Sequence, residues 1–215
     1  MTRTLDEIAP PARGSRLGEF RHSSVTVWVT MLVASIASLV ASFVLSVEAL
    51  TLAENPNADL GCDINAVISC GTVADSWQSQ VLGFPNAFLG LMTEPVVITI
   101  AVAGLAGVRF PRWFMLAAQV VYTIGLVFAY WLFHQAMFDI GALCPWCMLI
   151  TLATTLVFFE MTYVNIRDDN LYLPRRVQAG LARFVRSNLD LILVVVWLLV
   201  LVLAVVLKYG EALFA

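Results

Sequence analysis

Apolar residues run along this chain in long stretches, not at the two-residue interval of a half-buried strand or in the narrow stripe of a surface helix. Five stretches reach the roughly 20 residues that a helix needs to cross a hydrocarbon core of about 30 Å. They cover 25–47, 84–107, 113–138, 144–164 and 189–208. The last, LDLILVVVWLLVLVLAVVLK, has nothing charged between Asp190 and Lys208. In lipid every backbone N–H and C=O must be bonded within the segment, so each stretch is predicted to be a helix. A cleavable leader is the rival reading of the first. That run is too long for a leader's apolar core, and the segment before it carries acids as well as bases. The expected fold class is an all-α membrane protein with five spans.

The composition agrees. Of 215 residues, 60% are hydrophobic and 13% charged, and the mean hydropathy is +0.87. A soluble domain of this size is about half apolar and a quarter charged. A net charge of −3 without a basic, aromatic surface offers nothing to nucleic acid. The position of the charges says more. Arg3, Arg13, Arg16 and Arg21 precede the first span, Arg109 and Arg112 join the second to the third, and Arg167, Arg175, Arg176, Arg183 and Arg186 join the fourth to the fifth. These segments fall on one side of a five-span chain and hold eleven of its twelve Lys and Arg residues. Positive residues stay inside, so the N-terminus is expected in the cytoplasm and the C-terminus outside. The chain then divides into a cytoplasmic segment 1–24, four spans over 25–164, a basic cytoplasmic linker 165–188, and a fifth span with a short exterior tail over 189–215.

All four cysteines fall on the outward side. Cys62 and Cys70 lie in the 48–83 link, and Cys144 and Cys147 open the fourth span. Disulfide chemistry persists in the oxidising space beyond the cell membrane. In Cys144-Pro145-Trp146-Cys147 the polar-to-apolar boundary puts Cys144 at the helix N-cap and Pro145 at the first helical position, where a missing N–H costs nothing. Cys147 then falls in the first turn, where the helix dipole favours a thiolate. Met148 after Cys147 excludes haem attachment, and zinc would need Cys62 and Cys70 as further ligands. Redox work is the favoured reading of this pair, and an inert disulfide is the bland one. The Cys62/Cys70 pair is evenly open between a staple that pins a loop and a shuttle exchanging with the inner pair. Beyond Cys70, Thr72 and Asp75 form a capping-box pattern, and Val73, Trp77 and Val81 share a helical stripe, predicting a short helix on the membrane surface.

Taken in order, Cys62, the DINAVISC run to Cys70, Ser76-Trp77, a membrane hairpin and the CPWC helix start resemble the vitamin K epoxide reductase family, in particular its bacterial five-span members. The resemblance covers about 25–163. It implies a four-helix bundle around a quinone, capped by the exterior loop and half-helix, with the fifth helix added. It implies that Cys144 and Cys147 are the active pair, with Cys147 nearest the quinone, that Cys70 exchanges with Cys144, and that Cys62 meets an exterior substrate. The implied reaction reoxidises a separate thioredoxin-like (DsbA-like) protein outside the cytoplasm of a bacterium, at the expense of menaquinone or ubiquinone. Vitamin K epoxide reduction as the native role and a non-catalytic scaffold are the rivals. The disulfide bond formation protein B type has its cysteine pairs in the reverse order.

Ser76 matches a family serine near the quinone pocket, and Asn86 in GFPNAFLG is the candidate counterpart of the family's pocket asparagine. Thr151 stands where vertebrate members have tyrosine. Phe88, Trp131 and His134 complete the candidate quinone contacts. Trp131 with Tyr130 and Phe133 reads equally as an interfacial anchor, and His134 with Gln135 as headgroup-level packing. Glu94, beside Pro95, is an intramembrane carboxyl read either as a proton relay or, in preference, as a neutral acid bonded to a carbonyl freed by the proline. Glu160 is expected to be solvated or snorkelling near the cytoplasmic end. Gly90 and Gly125, with Ala117, Ala118 and Ala129, mark expected close helix contacts.

Overall fold

A computed structural model of the chain describes residues 24–213, Asp59 and Ala66 excepted. Arg3, Arg13, Arg16 and Arg21, on which the orientation reading draws, lie outside the described residues. Five helices are long and apolar enough to span a membrane. They are α1 (Ser24–Glu54), α3 (Ala87–Leu105), α4 (Arg112–Gln135), α5 (Pro145–Arg167) and α7 (Leu189–Leu213). Shorter pieces sit between them: α2 (Cys70–Ala74), a 3₁₀ turn (Trp77–Gln80) and the amphipathic α6 (Arg175–Arg186). The protein is an all-α, multi-pass membrane protein.

α1, α3, α4 and α5 form a four-helix bundle in which α1 packs on α3 and α5, and α4 on α5. Ser35, Ser38, Ser42 and Ser46 repeat along α1 at helical spacing, and all are buried. Between helices in lipid, small residues let backbones approach closely. Here a Cβ on Gly90 would run into the Ser42 hydroxyl, and one on Gly104 into the Trp28 indole. Gly125, expected at a helix contact, meets nothing within 4 Å and instead borders a cavity. The end of the bundle carrying the arginine-rich links is filled by Trp28, Met31, Ile100, Met115, Val157 and Met161. A polar cluster pins α4 to α5 there. Asn165 donates to Gln119 Oε1 at 2.9 Å and to the Met115 carbonyl at 3.3 Å, and accepts from Asn170 at 3.1 Å. Glu160 is buried at 3% exposure, so the expectation of a solvated side chain fails. It lies on a face of α5 packed by neighbouring helices.

α1 runs seven residues past the boundary read from hydropathy. Helix-forming ALTLAE carries it on until Asn55-Pro56, and proline disfavours helix in the residue before it. Its last turns project to the cysteine end of the bundle and bring Glu48 there. α4 ends in a π turn, Ala136–Ile140, closed by Gly141 at φ 76°, a left-handed conformation that suits glycine. π turns recur beside functional sites, and this one delivers the chain to Cys144. α7 leans on the outside of the bundle. Trp197 Nε1 donates to the Tyr130 hydroxyl at 2.7 Å, and Tyr209 and Lys208 donate to the Met137 carbonyl. Ile192, Leu199, Leu203 and Leu207 on its far side are exposed, as a lipid-facing surface should be.

Candidate functional site

The loop between α1 and α2 is built by short-range bonds. Asn65 Oδ1 accepts from Val67 N at 2.9 Å and Ile68 N at 2.8 Å, an Asx arrangement that turns the chain back. Asp63 Oδ1 accepts from Gly71 N at 2.9 Å and from the Ser69 hydroxyl at 2.8 Å. The Gly71 N–H above all, with Ser69 assisting, holds the Asp63 carboxyl below the usual carboxylate range. Ser69, not Thr72, caps α2, with its hydroxyl accepting from Thr72 N at 3.0 Å. The single surface helix expected over 73–81 is therefore two pieces, α2 and the 3₁₀ turn, with Trp77 exposed at the start of the turn.

One short parallel bridge joins this loop to the start of α5. Ile68 pairs with Leu143, Ser69 N donates to Leu143 O at 3.1 Å, and Leu143 N donates to Val67 O at 2.7 Å. The residues that follow each bridging strand are thereby set side by side. Cys70 and Cys144 face one another with sulfurs 3.3 Å apart. Cys62 and Cys70 form a disulfide, and Cys144 and Cys147 are free thiols. Cys62, Cys70 and Cys144 are buried together with Leu60, with Trp146 and Cys147 packed against them. Glu48 at the end of α1 places its carboxylate oxygens 3.4 and 3.5 Å from Cys62 Sγ, a neighbour that hydropathy alone had left in the exterior link.

Cys144 is the N-cap of α5 and Pro145 opens it. The Cys144 sulfur accepts from Cys147 N at 3.4 Å. A cap side chain curls back over the free N–H groups of the first turn, so the helix start serves Cys144 and not Cys147, the cysteine that dipole reasoning had favoured. The Cys147 thiol, helped by the backbone N–H groups of Cys147 and Trp146, holds the Cys144 thiol below its ordinary range against the effect of burial.

Cys144 and Cys147 border a cavity of about 510 Å³ inside the four-helix bundle. Residues of α2 and the 3₁₀ turn roof it, and the Gln78 side chain, donating to Gln135 at 3.3 Å, ties that roof to α4. The walls are largely apolar, with Leu45, Leu89, Phe128, Leu132 and Ile150 among them. Ser76 lies at the roof, its hydroxyl donating to the Val73 carbonyl at 2.6 Å. Asn86 is in the wall and spends one N–H on the Gln78 carbonyl at 2.7 Å. Thr151 lines the wall one turn below Cys147, bonded to the Cys147 carbonyl at 3.0 Å. The other three candidate contacts sit elsewhere. Phe88 stacks on Phe84, Trp131 lies against Phe128 and Trp77, and His134 lies against Phe138; none is in the wall. They share the depth of the cysteines, but they sit on helix faces turned away from the cavity.

Three buried polar atoms on cavity-lining residues have no hydrogen-bond partner among the described residues: Ser42 Oγ, Asn86 Oδ1 and Glu94 Oε2. A cavity of several hundred Å³ with apolar walls and a few polar atoms suits a small organic ligand. A quinone headgroup, an apolar ring with two carbonyl oxygens, fits that description.

A helical bundle in lipid with a dithiol at the mouth of an apolar cavity defines a multi-pass membrane oxidoreductase. The model of the vitamin K epoxide reductase family matches residues 29–162, and the chain belongs to that family. Family enzymes use quinones as electron carriers, in keeping with the cavity. The match runs from α1 through most of α5 and takes in all four cysteines. A comparison with curated proteins finds no match.

Proposed function

We propose that this protein is a quinone-linked thiol oxidase that reoxidises a thioredoxin-like protein outside the cytoplasm, and so drives disulfide formation there. The observation that carries the reading is the 3.3 Å separation of Cys70 and Cys144 beside a cavity that Cys147 lines. Sulfur exchange needs a thiolate in line with a disulfide. The arrangement gives electrons a path from a loop pair to an inner pair and then to the cavity.

A thiolate of the partner attacks Cys62, Cys70 leaves, and the partner's second thiol releases Cys62, so the partner becomes a disulfide and the loop pair a dithiol. Cys70 next attacks Cys144 of an oxidised inner pair and Cys147 leaves. Cys62 then attacks Cys70, and Cys144 leaves as a thiolate. The state in this structure, with the loop oxidised and the inner pair reduced, is the product of that exchange. A quinone held in the cavity would supply a two-electron, two-proton acceptor. The inner dithiol would give up two electrons and two protons to it and return to the disulfide. Cys147, on the cavity wall, is the sulfur proposed to hand them over. Ser42, Ser76 and Asn86 are proposed to orient the headgroup, and the apolar walls keep water away from it. Phe88, Trp131 and His134 stay outside this proposal, because other rings occupy their faces.

The proposed orientation follows the arginines, with the link that holds Arg109 and Arg112 and the linker 165–188 cytoplasmic and all four cysteines outside a bacterial cell membrane. Purified protein should reduce a short-chain menaquinone or ubiquinone when given a reduced thioredoxin-like protein or dithiothreitol. Cys147→Ala should abolish that reduction without loss of folding. The reading falls if the wild-type protein reduces no quinone with either thiol, or if Cys147→Ala remains fully active. Membrane-impermeant maleimide added to whole cells should label the reduced cysteines; protection of all four would reverse the orientation.

A further inference from the structure

Glu94 lies in the middle of α3 at 3% exposure, and its carboxyl is tied across the bundle. Ser38 of α1 donates to Oε1 at 2.9 Å, and the Tyr122 hydroxyl of α4 donates to the same oxygen at 3.2 Å. The expected bond to a carbonyl freed by Pro95 is replaced by these two hydroxyls, from helices that flank α3. A carboxyl buried in a membrane span is less costly neutral than charged, and its Oε1 is already occupied by two donors. The acid's own hydroxyl is then Oε2, and Oε2 is a buried atom without a partner among the described residues. An acid O–H without an acceptor in an apolar setting is costly, by about 1–3 kcal/mol. A carboxyl within a membrane span is dearer still unless it has work to do. Ser38, Tyr122 and Glu94 all line the cavity that Cys144 and Cys147 border.

We infer that Glu94 is a ligand-binding residue at the inner end of this cavity, and that its Oε2 hydroxyl donates a hydrogen bond to a carbonyl oxygen of the bound ligand. The inference rests on the quinone reading and deepens it. Asn86, the N-cap of α3, and Glu94 are eight residues apart, about 12 Å along the helix axis. The cavity therefore carries donors at two depths, the Oε2 hydroxyl of Glu94 and the second Nδ2 N–H of Asn86, whose first is held by the Gln78 carbonyl. A para-quinone carries an oxygen on each of two opposite edges of its ring, which matches polar atoms at two levels better than a ligand with a single polar end would. Ser38 and Tyr122 hold the carboxyl in place before the ligand arrives, which reduces the ordering cost of binding.

The test uses the full-length protein in detergent and a short-chain menaquinone analogue as probe. Binding is read at equilibrium by quenching of tryptophan fluorescence, and the carboxyl directly by infrared difference spectra with and without the analogue. Glu94→Leu should weaken binding about tenfold, the loss expected for one hydrogen bond of about 1.4 kcal/mol. Glu94→Gln keeps an N–H donor and should bind within about threefold of wild type. Wild type should show a shifted carboxylic acid C=O band on binding, and Glu94→Gln should lack it. Alkylation of Cys144 should proceed at the wild-type rate in both variants. Equal binding by wild type and Glu94→Leu overturns the inference. So does an unshifted carboxyl band in wild type, a readout that holds even where Glu94→Leu does not fold. If the wild-type protein binds and reduces the analogue in either case, the proposed function stands without Glu94. If it binds no analogue at all, the proposed function falls as well.

Discussion

Cys70 Sγ and Cys144 Sγ stand 3.3 Å apart, although 74 positions separate them in the chain. The contact depends on a bridge of one residue pair, Ile68 with Leu143, immediately before each cysteine's own element begins. Each of these cysteines is buried, so the proposed exchange between them would be shielded from competing thiols in solvent. Local hydrogen bonds thus set which sulfurs stand side by side.

The first prediction concerns this pair. With Cys147 replaced by Ser, Cys144 has no inner partner, and the neighbour in reach is Cys70. A covalent Cys70–Cys144 bond should accumulate under mild oxidation and show as a cross-linked peptide in mass spectrometry without reductant. Recovery of the Cys62–Cys70 peptide alone would contradict the proposed exchange.

A second follows from the N-cap position of Cys144. Its thiol is held below the ordinary range by the Cys147 thiol and the first-turn N–H groups, so the thiolate persists to lower pH than that of an unperturbed cysteine, about 8.5. The rate of Cys144 alkylation in the Cys62–Cys70-oxidised protein should therefore titrate with a midpoint below that value. Cys147→Ala removes the leading cause and should move the midpoint upward. A midpoint at or above the ordinary value in the wild type would contradict the assignment.

The loop offers a third. Asp63 titrates lower in the folded loop than in an unfolded chain because Gly71 N–H and Ser69 bond its charged form. A depressed carboxylate contributes order above its unfolded value, about 3.9, and loses that contribution as pH falls through the folded value. The Cys62–Cys70 bond should therefore become easier for an acid-active phosphine to reduce as pH drops below about 4. In Asp63→Ala it should be easier to reduce at neutral pH too, and its remaining pH dependence should be flatter. Identical reduction rates in the two proteins at neutral pH would show that the bonds to Gly71 and Ser69 do not order the loop.

Packing supplies the fourth. A methyl group at Gly90 would enter the space of the Ser42 hydroxyl, so Gly90→Ala should force α1 and α3 apart. Overpacking of this kind costs about 1–3 kcal/mol, against a gain in helix propensity of at most about 1 kcal/mol. Net destabilisation should appear in thermal unfolding in detergent. Ser42→Gly should restore most of it, whereas a stabilised Gly90→Ala protein would show that the contact is looser than described.

Features that depend on neighbours along the chain were legible in the sequence. A span is a matter of apolar length, because lipid forces the backbone to bond within itself, and all five spans follow from the hydropathy pattern. The N-cap of α5 follows from Cys144-Pro145 at a polar-to-apolar boundary. The order of the cysteines pointed to the family whose model matches residues 29–162. Apolar length says nothing, however, about how a helix is turned on its axis or which helix lies beside it. Phe88, Trp131 and His134 have suitable chemistry and depth for a pocket, yet rotation puts their rings on Phe84, Phe128 and Phe138. Glu94 is legible in the sequence as an intramembrane carboxyl, a proton relay or a neutral acid bonded to a carbonyl freed by Pro95. Its bonds to Ser38 and Tyr122, and the oxygen left over, exist because three helices meet at one depth. The helix start of α5 looked as if it favoured Cys147, but the cap geometry turned it toward Cys144. Hydropathy and capping are one-dimensional constraints and can be read along the chain. The site is made of contacts between distant segments, and only the packed bundle decides those.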